Sequence, residues 1–171
     1  MSNSNYCVLV QSTDSYEDCW YPFFKLFSIY WPNYKGRIYL TTESKSFTYP
    51  GLKIITNQVD SYSKNKVKTW SESLLRSLEM IHEEYILFIL EDLFLNRAVN
   101  EQMIKKFVHR MEIEKISILY LTDQSTSQVI YNGTNDDIIE VDQNANNRIS
   151  ALTAIWNKKA FYKYLIPREN P

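Results

Sequence analysis

Tyr85-Ile-Leu-Phe-Ile-Leu90 is apolar at every position and runs directly into an acidic pair, Glu91-Asp92. A strand with one solvated face alternates apolar and polar residues, so an unbroken apolar run of this length predicts a strand covered on both faces. Such a strand belongs in the centre of a mostly parallel sheet, with Glu91 and Asp92 at its carboxyl end.

Working outward, Val67, Trp70, Leu74, Leu78 and Ile81 recur every three or four residues and predict an amphipathic helix just before this strand. On the amino-terminal side, Tyr6–Val10 reads as a first strand that ends in the polar turn Gln11-Ser-Thr-Asp-Ser15. Trp20, Phe23, Phe24, Phe27 and Trp31 then mark an aromatic helix face, with Pro22 placed in the first turn and Pro32 ending the pattern. Arg37–Leu40 and Leu52–Ile55 give two further short strands.

Beyond Asp92, Val99, Met103, Ile104, Phe107, Val108 and Met111 predict a helix, and Ile116–Leu121 a strand. Short strands follow at Val129–Tyr131 and Ile138–Val141, an antiparallel extension to the sheet. Ser150–Trp156 is apolar again, and Asn157 is positioned to cap a last helix, Lys158–Leu165, before Pro167. Strands alternating with helices predict a doubly wound α/β arrangement, and with no repeat or Pro/Gly linker residues 1–171 read as one domain.

Several functional classes are removed by composition. With 19 Lys and Arg against 20 Asp and Glu, and no basic stripe, nothing points to nucleic acid. Three glycines, Gly36, Gly51 and Gly133, cannot make a dinucleotide-binding or P-loop phosphate cradle. No run approaches the roughly 20 apolar residues of a membrane span, and the amino end lacks the character of a signal peptide. A cytoplasmic location is expected, and a peripheral membrane contact stays open. Cys7 and Cys19 lack metal-ligand spacing and read as buried thiols. His82 and His109 accompany no nucleophile motif, which disfavours a hydrolytic triad.

In open parallel sheets ligands bind outside the carboxyl ends of the strands. Three loops there carry suitable groups. Glu91 and Asp92 are hard oxygen ligands that can hold Mg²⁺ or Mn²⁺ against a diphosphate, although solvated turn chemistry explains an acidic pair equally well. Ser12, Thr13 and Asp14 can hydrogen-bond a base or ribose, while a capping pair of Asp14 with Glu17 is the competing and simpler role. Glu43, after Thr42, can accept from an imide N–H or a ribose hydroxyl. Trp70 belongs by spacing to the core, but its helix start also presents Lys66, Lys68 and Ser71 toward any phosphate.

Taken together, Tyr16–Phe24, Ile38–Glu43, Trp70 ahead of Leu74 and Leu78, Tyr85–Leu95 and Ala154–Lys158 resemble GT-A-like glycosyltransferases from loci for bacterial or viral surface glycans. The resemblance spans nearly the whole chain. It implies a GT-A-like three-layer sandwich and transfer of a sugar from a nucleoside diphosphate-sugar, UDP-linked, to a hydroxyl of a glycan acceptor. Glu91-Asp92 matches the metal-binding motif of such enzymes, with Phe94 standing where the usual Asp-x-Asp has its second acid. Thr13, Asp14 and Glu43 match the nucleoside-binding loops by position. An inverting enzyme also needs a carboxylate base, which such families commonly draw from a late acidic segment; Glu169 is the late candidate here, where the family normally continues into an acceptor-binding segment. Two other functions fit an α/β domain with acidic strand ends. A nucleotidyltransferase would need a glycine-rich, basic loop after the first strand, which Gln11–Ser15 does not supply, and a non-catalytic carbohydrate- or protein-binding module would lack turnover.

Overall fold

The computed structural model describes residues 5–61, 66, 69–121, 128–129, 138, 140–141, 144 and 149–167. Six strands form the main sheet: β1 (Tyr6–Gln11), β2 (Ile38–Thr42), β3 (Ile54–Gln58), β4 (Tyr85–Leu90), β5 (Ile118–Tyr120) and β8 (Ala154–Asn157). Their order is β3-β2-β1-β4-β8-β5. Strands β3, β2, β1 and β4 are mutually parallel, while β8 runs antiparallel to both β4 and β5. A separate antiparallel pair, β6 (Gln128–Val129) with β7 (Glu140–Val141), completes the strands. The resulting chain is a mixed α/β fold with a mostly parallel sheet.

Strand β4 occupies the central position that its unbroken apolar run predicts, between β1 and β8. Its alternate residues serve two cores. Tyr85, Leu87 and Ile89 join the cluster that contains Trp20, Phe23, Phe24 and Phe27 of α1 (Glu17–Tyr30) and Ile104, Val108 and Met111 of α3 (Glu101–Glu114). Ile86 and Phe88 join the opposite cluster with Leu74 and Leu78 of α2 (Trp70–Met80) and Phe161 of α4 (Lys158–Tyr164). A pleated strand points successive side chains to opposite faces, so only a strand sandwiched between helices can bury all of them.

The helix termini follow their local chemistry. Thr69 caps α2 by accepting from the Glu72 N–H at 3.3 Å, the Thr-x-x-Glu spacing of a helix start. Asn100 accepts from Met103 N–H at 3.1 Å, and Asn157 accepts from Ala160 N–H at 3.2 Å, as its position predicts. Val67 and Lys68 lie outside the described residues.

One local expectation is corrected, and one strand is added. A 3-10 turn, Asp14–Tyr16, leads into α1, so the helix begins at Glu17 and Pro22 sits inside it instead of in its first turn. Proline has no N–H, so that position forgoes one intrahelical bond, and the aromatic face Trp20, Phe23, Phe24 and Phe27 supplies the burial that holds the helix regardless. The late apolar run, to which the sequence assigns no element, supplies antiparallel β8 inside the main sheet, between β4 and β5, with Leu87 opposite Ile155.

Phe88 is fully buried and meets Trp70 and Phe161 edge-on, with ring centroids 6.3 and 5.3 Å apart. Phe88→Ala is expected to cost about 3–5 kcal/mol in urea unfolding. A cost below about 1 kcal/mol would contradict the central placement of β4.

Candidate functional site

Strand order reverses between β1 and β4: from β1 the chain moves to β2 and β3 on one side, then returns to β4 on the other. Such a switch point leaves a crevice at the carboxyl ends of the two strands, because their connections leave in opposite directions. Gln11 pairs with Leu90 in the β1–β4 ladder, so the next residues, Ser12 and Glu91, emerge side by side. Two of the three loops singled out in the sequence therefore meet at one point.

Glu91 is 8% exposed, whereas Asp92 faces solvent. Burial pushes the Glu91 carboxyl above its ordinary range and the neighbouring Asp92 charge adds to this; its own backbone N–H and a hydrogen bond from Ser12 oppose the rise without cancelling it. Ser12 is itself buried, and its hydroxyl accepts from the Trp20 indole N–H at 2.8 Å. The same hydroxyl lies 3.4 Å from the Thr13 carbonyl, to which it donates, so Trp20 fixes Ser12 beside Glu91. Among the described residues no group of three or more Asp, Glu, His or Cys side chains is placed to enclose a metal ion. Two adjacent carboxylates are hard oxygen donors of the kind that could hold a Mg²⁺- or Mn²⁺-type ion.

The third loop joins through a reciprocal set of bonds. The Asp14 carboxylate accepts from the backbone N–H groups of Glu43 (3.0 Å), Ser44 (3.1 Å) and Lys45 (3.3 Å) and from the Ser44 hydroxyl (2.7 Å). In return the Asp14 N–H donates to the Glu43 carboxylate. Burial alone would raise the Asp14 pKa, but the bonds from Ser44, Lys45 and Glu43 outweigh it and hold the group below its usual range. Glu43 moves the other way, raised by burial and by the Asp14 charge against the N–H bond that it receives. The capping pair of Asp14 with Glu17 is not formed: neither the 3-10 turn nor α1 has a side-chain cap, and Glu17 pairs with Lys45 instead. Thr13 is half-buried and its hydroxyl lies 2.6 Å from that of Ser15.

The start of α2 reaches the same edge, since the Gln11 side-chain amide donates to the Ser73 hydroxyl at 3.3 Å. Trp70 is half-buried against Phe88, in keeping with its core spacing, and Ser71 is buried. Lys68 and Glu169 lie outside the described residues. Cys7 is buried, but Cys19 is only partly so; burial, Asp18, Glu91 and Asp92 together raise its thiol pKa, which places it near the acidic pair.

Sequence reading missed Gln11 and Ser44. Gln11 is 1% exposed, and its side-chain oxygen has no hydrogen-bond partner among the described residues. A polar residue closing a wholly apolar strand was the available signal. Ser44 gave none, because its partner Asp14 lies 30 residues earlier.

No protein family matches the chain by sequence, and no curated protein does. Solved structures do match. TarS of S. aureus, residues 1–349, superposes with a TM-score of 0.53 at 10% identity, covering 90% of this chain and 47% of that one. The same protein in complex with UDP-GlcNAc gives 0.52 at 13% identity, over 90% and 45%. A longer TarS structure gives 0.51 at 13%, over 90% and 28%. The chain therefore spans about half or less of these neighbours' lengths. It shares its fold with the matched part of TarS.

Because the folded state depresses the Asp14 pKa, the stability that this group contributes is complete above the ordinary aspartate range and is lost as pH falls through its folded value. Asp14→Asn is expected to lower unfolding stability by about 1–2 kcal/mol at neutral pH, as a part-exposed set of charge-assisted bonds is lost. The gap between parent and variant should close as urea unfolding is repeated at progressively more acid pH. A gap independent of pH would mean that the carboxylate charge contributes nothing.

Proposed function

We propose that the chain is a glycosyltransferase that moves a sugar from a UDP-linked donor to a hydroxyl of a glycan acceptor, in the biosynthesis of a surface polysaccharide. The observation that carries this reading is the convergence of Ser12 and Glu91 at the switch point of a fold shared with TarS, a protein whose structure is known with UDP-GlcNAc. In such a crevice the nucleoside lies over the loops after β1 and β2, where Thr13 and Glu43 accept from the base and ribose. The Asp14 bonds to residues 43–45 hold those loops together in advance, which reduces the ordering cost on binding. Trp70 and Ser71 at the start of α2 are the residues offered to the phosphates, and Lys68, outside the described residues, is proposed to join them from the sequence.

Glu91 and Asp92 are the residues that would hold Mg²⁺ or Mn²⁺, and the ion when bound supplies positive charge to the departing diphosphate. The two adjacent carboxylates would be its protein ligands, with Ser12 beside Glu91 at the end of the β1–β4 ladder. For transfer with inversion, Glu169 is the carboxylate that takes the acceptor proton as the hydroxyl oxygen attacks the anomeric carbon and the bond to the nucleoside diphosphate breaks.

Calorimetry of UDP with and without Mn²⁺ tests the reading. The parent should bind UDP more tightly with Mn²⁺, by on the order of tenfold or more, and Asp92→Asn should lose that difference. Equal affinities with and without metal in both proteins would remove the metal role; a silent titration across several nucleotides would sink the donor site itself. Binding without any donor hydrolysis or transfer would instead identify a non-catalytic module.

The metal-dependent part should also respond to pH. The ion competes with a proton for Glu91, whose pKa is raised, so the Mn²⁺ enhancement should grow as pH rises through that value. Glu91→Gln should flatten the profile. An enhancement that falls with rising pH would place the ion elsewhere.

A further inference from the structure

The amino edge of the sheet, opposite the switch-point crevice, carries an open groove of about 500 Å³ between the end of α3 and α4. Its floor is apolar, with Tyr85, Met111, Ile116 and Ala160. Its cationic lining is Lys115, Lys159 and Lys163, against the carboxylate of Glu84, with the Glu112 charge also close enough to act on Tyr85. None of the three lysines has an ion pair among the described residues.

Lys115 supplies a second observation. It terminates α3 in the left-handed conformation, φ 58°, with Ile116 N–H returning to the Met111 carbonyl at 3.1 Å. Glycine is the relaxed residue at this position, and a side chain there is strained. Its side chain lines the groove.

The surroundings identify the ligand's chemistry. Ile113 and Tyr164, within two residues of Lys115 and Lys163, and Ile166, two residues beyond Tyr164, are 64%, 50% and 56% exposed. Lysines flanked by exposed aliphatic and aromatic side chains are the composition of a surface that lies in a bilayer interface, where the ammonium groups meet phosphate and the apolar groups enter the headgroup boundary. A nucleic-acid surface would extend the basic stripe, which the chain lacks. No described helix is long and apolar enough to cross a membrane, so the contact would be peripheral.

We propose that the amino-edge groove seats the anionic headgroup of a membrane phospholipid. This site is independent of the donor reading, and a six-residue strand of about 20 Å separates the two edges. The donor crevice then faces away from the membrane, toward an acceptor that extends from it.

Co-sedimentation with vesicles of phosphatidylcholine alone, or mixed with phosphatidylglycerol, tests the proposal on the full chain. The parent should bind only the mixed vesicles, and more weakly as salt is added. Lys159→Gln with Lys163→Gln should weaken binding by about fivefold per lysine removed. Lys115→Gly separates folding from binding: it should raise the urea midpoint while weakening vesicle binding by about fivefold. UDP titrations of these variants should match the parent. Equal binding to neutral and anionic vesicles, or unchanged binding in the lysine variants, would overturn the proposal. So would retention of inorganic phosphate in the groove without vesicle binding, which would indicate a soluble phosphate ligand.

Discussion

The parallel ladder between β1 and β4, from Tyr6 opposite Tyr85 to Gln11 opposite Leu90, is the pairing on which the rest depends. It joins segments almost 80 residues apart, so the loop it closes carries an entropy cost that only extensive burial offsets. That burial comes from both faces, since the ladder places Cys7 and Leu9 in one core and Val8 and Val10 in the other. The same pairing fixes what emerges at its carboxyl end. A shift of one residue would turn every side chain of β4 to the opposite face and separate Ser12 from Glu91.

Around that ladder the polar groups at the carboxyl edge are bound to one another before any ligand arrives. Trp20 holds Ser12 beside Glu91, and Asp14 holds the loop after β2. Beneath them, α2 meets the sheet through hydroxyls as well as apolar groups: Thr41 donates to Ser77 at 2.8 Å, and the Asn57 amide donates to the same hydroxyl at 2.9 Å. Glu91 is the member left electrostatically unfavourable, raised by burial and by Asp92. A cation or a proton relieves it.

What the sequence disclosed divides along a physical line. The apolar run of β4 and the periodicity of Leu74 and Leu78 in α2 were legible because burial imposes a spacing on neighbouring residues. Asn157 was legible as a cap because its partner, Ala160, is three residues away. The bonds of Asp14 to residues 43–45, and of Gln11 to Ser73, were not, because they depend on which loops the sheet order brings together. The site was therefore readable as a set of loops, while the roles within it were not: Asp14 looked like a cap and proves to be a staple between loops. The position of β8 was hidden for the same reason, since nothing local in Ala154–Asn157 specifies an antiparallel place beside β4.

That late strand has a consequence for how the protein is made. Synthesis from the amino end completes β1 through β4 long before Ala154–Asn157 exists, so β4 waits as an edge strand with its outer backbone groups unpaired. A wholly apolar edge is a template for association with other chains. During that interval an apolar strand of the finished interior is exposed along its edge, and the arrival of β8 is the step that seals it.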